Sequence, residues 1–289
     1  MRDSSAGLTR CRKTDSAMHL KHLDKQTPGG VYLCQVNEHI SCGACCGLYN
    51  VADASREALT EMLAFRSRAF ADVPRTLEGI LAFQKEIESK ECQDRPYPGF
   101  HHCPFTGLIG ENLSRAGCLL HPMADGNKGV DFRGLSYYGG MACRSYFCPA
   151  CKQLPERYKQ IIRYAAHDWY IFGLIATELG LLNAFFREVE KRIDRNVNPE
   201  DFTGNQKRIE VVREFLHYRI KWPFRRNTNI CNYFFEDHLY RRTPVNYTPA
   251  GVSSSPYDVI FRELESHFPA PDALQNAEAM LDDLFRRLS

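Results

Sequence analysis

The segment Ser41-Cys42-Gly43-Ala44-Cys45-Cys46-Gly47 sets three thiols within five residues, two of them adjacent. No regular element can bury all three as core, because neighbouring side chains on a helix or strand point in different directions. A soft metal can gather them. Gly43 and Gly47 give the backbone the freedom for the tight, partly left-handed turns that aim several sulfurs at one point.

Cysteine is the unusual component of the composition, with 12 in 289 residues. Met1 to Gln26 is polar and charged, without the apolar stretch of an export signal, so a cytoplasmic location with reduced thiols is expected. Reduced cysteines in such numbers point to metal ligation rather than a disulfide framework. A net charge of +2 announces neither a nucleic-acid nor a membrane partner. The longest apolar candidate, Ile171 to Phe186, is interrupted by Glu178 and Asn183 and falls short of the roughly 20 residues of a membrane span.

Three regions follow along the chain. Residues 1–27, with six Lys/Arg and three Asp, read as a flexible basic tail in which Cys11 is a bystander. Residues 28–152 read as a cysteine-cluster metal-binding domain. Within it, Val31 to Val36 is expected to form a short strand leading to the knot. Asp53 or Ser55 should cap a helix through about Phe70, and a second helix is predicted from Pro74 to Glu91 with Leu77, Ile80, Leu81 and Ile87 inward.

Between Phe100 and Cys151 the periodicity fades. Eight of the 19 glycines fall between Pro104 and Ala142. A long loop region inside a compact domain needs something besides apolar packing to hold it, and metal ligands do that because site formation contributes to folding.

Residues 153–289 read as a helical domain. Apolar residues at steps of three or four from Ile162 to Phe186 predict one long helix ending before Asn196. A further helix is predicted from about Gly204 to Lys221, stopping at Trp222-Pro223. A short helix near Phe234 to Tyr240 and closing helices at Pro256 to Phe268 and Pro271 to Leu288 complete the expected bundle.

The candidate ligands form four groups: Cys42, Cys45 and Cys46; Cys103; Cys118; and Cys143, Cys148 and Cys151. Each group sits beside Gly or Pro, where turns free the thiolates to converge and let backbone amides donate to sulfur. Iron–sulfur clusters and thiolate zinc sites share this design. Four thiolates satisfy one zinc or one cluster, so eight allow one site or two. Paired C-x-x-C knuckles would favour structural zinc; the irregular C-x-x-C-C, two lone cysteines and C-x4-C-x-x-C lean towards iron–sulfur.

The order Cys42-Gly43-Ala44-Cys45-Cys46, Cys103-Pro104-Phe105, Gly117-Cys118-Leu119-Leu120-His121-Pro122 and Cys143-Arg144 resembles the YkgJ-type cysteine-cluster family, described as zinc- or iron-chelating domains. Flagellin lysine N-methylases are similar in this cysteine pattern, and the likeness implies an iron–sulfur centre. It covers roughly residues 40–151. The chain departs from the pattern in lacking the usual Arg-Pro before the final Cys-Arg, and Cys148 and Cys151 exceed the minimal set. No glycine loop for S-adenosylmethionine is evident, so methyl transfer is not carried over.

Around these cysteines, His121 reads as a partner to the centre, and Arg144 as a donor to cluster sulfide or a substrate anion or, equally, as one half of a plain salt bridge. His101 and His102 read as exposed loop histidines, and Cys34, Cys92 and Cys231 as structural thiols. Arg225-Arg226, Tyr233-Phe234-Phe235 and Arg241-Arg242 mix rings with cations. At this net charge they read as packed aromatics with solvated arginines. His167-Asp168 reads as a polar pair inside the long helix. The expectation is a mostly α protein, a loop-rich cysteine-cluster domain packed against a C-terminal helical bundle. Its function would be iron–sulfur binding with a redox or cluster-dependent enzymatic role, serving a protein or small-molecule partner. The alternative is a structural-zinc protein whose helical half binds another macromolecule.

Overall fold

A computed structural model describes residues 19–226 and 242–289, and helix prevails among them, as expected. Residues 19–26, inside the stretch read as a tail, form helix α1. Asp24 fixes it: the carboxylate accepts from both terminal nitrogens of Arg163 (2.7 and 3.0 Å) and from the Tyr32 amide (2.7 Å).

The strand expected at Val31 to Val36 does not form. The segment instead makes a narrow loop with one antiparallel bridge between Gln35 and Ser41. Asn37 Oδ1 accepts from the amides of His39 and Ile40, both at 2.9 Å, and this side-chain turn competes with an extended strand. The loop returns the chain so that the Cys42 amide donates to Cys34 O at 2.8 Å.

Helix α2, Arg56–Ala71, starts where the sequence places it, with Ser55 Oγ accepting from the Ala58 amide. Its buried face carries Leu59, Leu63 and Phe70, and also Arg66. Helix α3, Leu77–Lys90, is capped by Thr76, so Pro74 precedes the helix instead of opening it. Ile80, Phe83 and Ile87 are its buried residues. Leu77 and Leu81, expected inward, are 52% and 39% exposed, because the face that meets α2 is set by Phe83 against Phe70 and Phe105.

The glycine-rich region carries an antiparallel hairpin, β1 (Thr106–Ile109) with β2 (Arg115–Cys118), in which Thr106 lies opposite Cys118. Ser67 Oγ on α2 accepts from the Leu108 amide at 2.7 Å and ties the hairpin to the helix. Two short helices follow, α4 (Gly139–Ser145) and α5 (Pro149–Gln153).

The single long helix expected up to Asn196 is three helices: α6 (Glu156–Ala165), α7 (Trp169–Ile175) and α8 (Leu179–Ile193). Asp168 causes the first break by capping α7, its Oδ1 accepting from the Ile171 amide at 3.0 Å. It is therefore a cap, and it pairs with Arg56 at 2.9 Å. The second break lies at Glu178, where the axis turns by 88°. No single helix among the described residues is long and apolar enough to cross a membrane; α7 and α8 pass that test only as a bent pair.

Helix α9 (Glu200–Thr203) precedes α10 (Gln206–Lys221), which Asn205 caps and Trp222-Pro223 ends. Helix α11 is confined to Asp258–Glu263, and α12 runs Pro271–Arg286 with Ala277, Leu281 and Leu284 inward. The helix expected at Phe234 to Tyr240 lies outside the described residues. The largest core joins α6, α7, α8, α10 and α12 to Leu48 and Tyr49 of the knot and to Leu59 and Leu63 of α2. A smaller core of Phe70, Ile80, Phe83, Phe105, Leu119 and Leu120 sits between α2, α3 and the hairpin.

Candidate metal centre

The knot is a single 3-10 turn, Ala44–Cys46, closed by Gly47 in the left-handed region at φ 74°. Gly43, at φ −113°, needs no such freedom. A Cβ on Gly47 would stand 2.0 Å from His101 O. Gly47→Ala is therefore expected to cost roughly 2–4 kcal/mol, combining left-handed strain with a backbone collision. A urea unfolding midpoint within error of the wild type would refute that reading.

Two contacts hold the knot against both halves of the chain. His102, read from the sequence as exposed, is half-buried; its Nδ1 donates to Gly47 O at 2.8 Å, which leaves Nε2 to accept from Arg66. Burial and the neighbouring Arg66 push His102 down to about 3, so the ring is neutral. On the other side, Tyr49 hydroxyl lies against the backbone of α7, within 3.0 Å of Tyr170 O, at a point where only Gly173 leaves room for it.

The fold brings the cysteines of all four sequence groups towards one another, in two neighbourhoods. Cys46, Cys103 and Cys118 are in mutual electrostatic reach, and Cys118 also reaches Cys143. Cys103 and Cys46 are joined by a backbone hydrogen bond, Cys103 N to Cys46 O, at 2.8 Å. The second neighbourhood holds Cys42, Cys148 and Cys151, and Cys42 also reaches Cys46 of the first. Cys34, read from the sequence as a structural thiol, faces this one.

A repeated local geometry accompanies the sulfurs. The amide two residues on donates to the thiol at Cys42 (from Ala44), Cys103 (from Phe105), Cys118 (from Leu120) and Cys148 (from Ala150, joined by Cys151). Such turns favour the charged sulfur. Burial works the other way. It pushes Cys42 and Cys118 up to about 12 and Cys151 up to about 11, with neighbouring thiols adding to the effect. Cys46 is the exception: the Cys45 thiol donates to it and, against its burial, holds it below the ordinary thiol value. Cations stand beside each neighbourhood, Arg133 near Cys118 and Cys143, Lys152 and Lys159 near Cys151.

Cys143 is exposed on α4, its Sγ 3.0 Å from Ser136 Oγ. Around it Tyr137, Tyr138 and Met141 are exposed, and His101 stacks on Tyr137 at 4.9 Å. His101 Nδ1 is buried and has no hydrogen-bond partner. Arg144 pairs with Asp131 at 2.7 Å, and His121 Nδ1 accepts from the Met123 amide at 3.2 Å, so both are engaged locally. Cys92 is exposed. Cys11 and Cys231 lie outside the described residues. Among the described residues, no three His, Cys, Asp or Glu side chains converge closely enough, as they stand, to hold a metal ion.

The basic-aromatic segment offers no free patch where it is described. Arg225 donates to Tyr218 O and Arg219 O, and Arg242 is buried among Glu178, Glu263 and Glu265. Tyr233 to Phe235 and Arg241 lie outside the described residues. Two contributors to the site were hidden from sequence reasoning. Cys34 has no neighbouring cysteine to mark it, and Arg66 looks like a surface residue of an amphipathic helix. The only available signal for Cys34 was the Asn37 turn that could fold it back on Cys42.

Comparison of the chain with protein-family models, with curated proteins and with solved structures found no match. The likeness to the YkgJ-type family rests on the cysteine pattern itself.

Proposed function

We propose that the protein binds an iron–sulfur centre through thiolates drawn from Cys42, Cys45, Cys46, Cys103, Cys118, Cys143, Cys148 and Cys151, and that this centre serves a redox or cluster-dependent reaction. The observation that carries this reading is the recurrence of buried or half-buried thiols, each with an amide donating from two residues on, at segments far apart in sequence. Buried thiols grouped this way oppose one another's ionisation; a metal centre removes that conflict by taking the thiolate charge. The donor set fits soft iron or zinc and suits hard, oxygen-seeking cations poorly.

The chain's own residues have distinct parts in this scheme. The amides of Ala44, Phe105, Leu120 and Ala150 stabilise thiolate charge. Arg133 and Lys159 offset what remains, and the apolar walls of Leu119, Phe105 and Leu48 keep water away. A bound cluster supplies one-electron transfer or a site for substrate activation. Exposed Cys143, with Tyr137, Tyr138 and Met141 about it, marks the side a redox partner or substrate would approach.

Anaerobic purification with metal and acid-labile sulfide analysis tests this. A coloured protein whose visible absorption bleaches on reduction, with iron and sulfide in comparable amounts, is the expected result. A colourless protein with stoichiometric zinc and no sulfide would sink the iron–sulfur reading and leave the zinc-stapled interaction module. Absence of any bound metal after anaerobic reconstitution would remove both.

A further inference from the structure

The two thiol neighbourhoods belong to different parts of the core. Cys103 is buried in the core between α2, α3 and the hairpin, with Cys46 and Cys118 packed against it. Cys42 and Cys148 pack against the large helical core instead, and Cys42 Sγ sits 4.0 Å from Gly173 O on α7. Adjacent segments of one short turn thus face opposite ways: Cys42 towards α7, Cys46 towards the hairpin.

Cys34 joins Cys42 on the α7 side. The Asn37 turn folds it back until Cys42 N–H donates to Cys34 O. Helix α5 brings Cys148 and Cys151 to the same place. It is anchored there by Lys159, whose Nζ donates to Cys151 O at 2.8 Å and to Gly29 O. Cys151 Sγ approaches Pro28 O at 3.8 Å and Val31 O at 3.7 Å, on the run of chain that leads into Cys34. Each pair among Cys34, Cys42, Cys148 and Cys151 interacts electrostatically, and Cys46 also reaches Cys34 and Cys42. It is the packing of Cys42 and Cys148 on one core and of Cys46, Cys103 and Cys118 on the other that divides the two groups.

We propose that Cys34 completes a four-thiolate metal site with Cys42, Cys148 and Cys151, separate from a second site at Cys46, Cys103, Cys118 and Cys143. This rests on the metal-binding reading above and deepens it, fixing the number of centres, adding Cys34 and setting Cys45 aside. Four thiolates match one tetrahedral zinc or one cubane cluster, and each thiol that binds releases its proton. Cys45 stands outside both sets, its thiol donating to Cys46.

Metal and acid-labile sulfide per chain, measured after anaerobic reconstitution of the full chain, decide the matter. The set comprises wild type, Cys34→Ser, Cys148→Ser, Cys103→Ser, the Cys34→Ser/Cys103→Ser double variant and the exposed control Cys92→Ser, each with circular dichroism to confirm folding. Cys34→Ser and Cys148→Ser should each lose about half of the wild-type metal, Cys103→Ser the other half, the double variant essentially all, and Cys92→Ser none. Two results overturn the partition while leaving metal binding intact: full metal retention in a folded Cys34→Ser, or complete loss in either Cys34→Ser or Cys103→Ser alone. Should Cys34→Ser fail to fold, Cys148→Ser carries the same test from the opposite wall. A wild type that binds no metal overturns the partition together with the reading beneath it.

Discussion

Replacing Arg66 by Met should destabilise the chain by about 3–5 kcal/mol, the range for breaking one side of a buried ion pair. The Arg66 side chain has no exposure, and its guanidinium is spent on four residues at once. Nε donates to Glu91 Oε1 at 2.7 Å and Nη2 to Glu91 Oε2; Nη1 donates to Cys103 O at 3.0 Å and Thr106 O at 3.2 Å; and Nη2 also meets His102. Met fills the volume but takes the donor from Thr106 O, leaves Cys103 O with the Thr106 amide alone, and leaves a carboxylate without its cation. Glu91 keeps 16% exposure and regains some water, which places the effect nearer the lower end of that range. The same change loosens the loop that presents Cys103, so metal content should fall as well as the urea midpoint. An Arg66→Met chain as stable as wild type would show that the guanidinium is not what orders this loop.

Glu178→Gln should cost about 3 kcal/mol for the same reason, at the 88° turn between α7 and α8. Glu178 is 5% exposed and lies between Arg242 Nη2 at 2.6 Å and Arg219 Nε at 3.3 Å. Burial pushes this carboxyl up, yet the two arginines outweigh it and hold it below the ordinary glutamate value of 4.5. As the pH falls, the unfolded chain therefore takes up this proton before the folded one. The stabilisation is complete above about pH 4.5 and disappears as the pH drops through the folded value. Gln at this position should lower stability at neutral pH and flatten its decline on the acid side. Glu263, in the same network, is held above its ordinary value by burial, so its contribution runs the other way and declines as the pH rises. Urea unfolding at several pH values separates these effects. An unchanged acid slope in Glu178→Gln would assign the acid sensitivity to other groups.

Local chemistry was readable from the sequence at several element ends, though not at the Asn37 turn or the Thr76 cap. Ser55 caps α2, Trp222-Pro223 ends α10, Pro271 opens α12, and Gly47 is left-handed, because each is decided within a few residues by a side-chain acceptor, a missing amide or a missing Cβ. Periodicity was less decisive. The step of three or four from Ile162 to Phe186 persists across three helices, since the apolar residues face one core on either side of both breaks. Asp168 and Glu178 interrupt the backbone without disturbing that spacing. One cap was visible as a residue type, but the arginines that draw Glu178 inward come from α10 and from residue 242.

The sequence by itself determined that the chain is mostly helical, and it marked where the thiols that stand out by spacing and turn context lie. Only the tertiary structure decided which sulfurs are neighbours. Cys42 and Cys46 are four positions apart yet pack on different cores, while Cys34 and Cys151 are far apart in the chain yet within electrostatic reach. Spacing limits how near two residues can be when the intervening chain is short. Once it is long, the packing of α5 and α7 against the knot sets the distance, and that packing depends on residues such as Lys159 and Gly173 that carry no metal chemistry of their own.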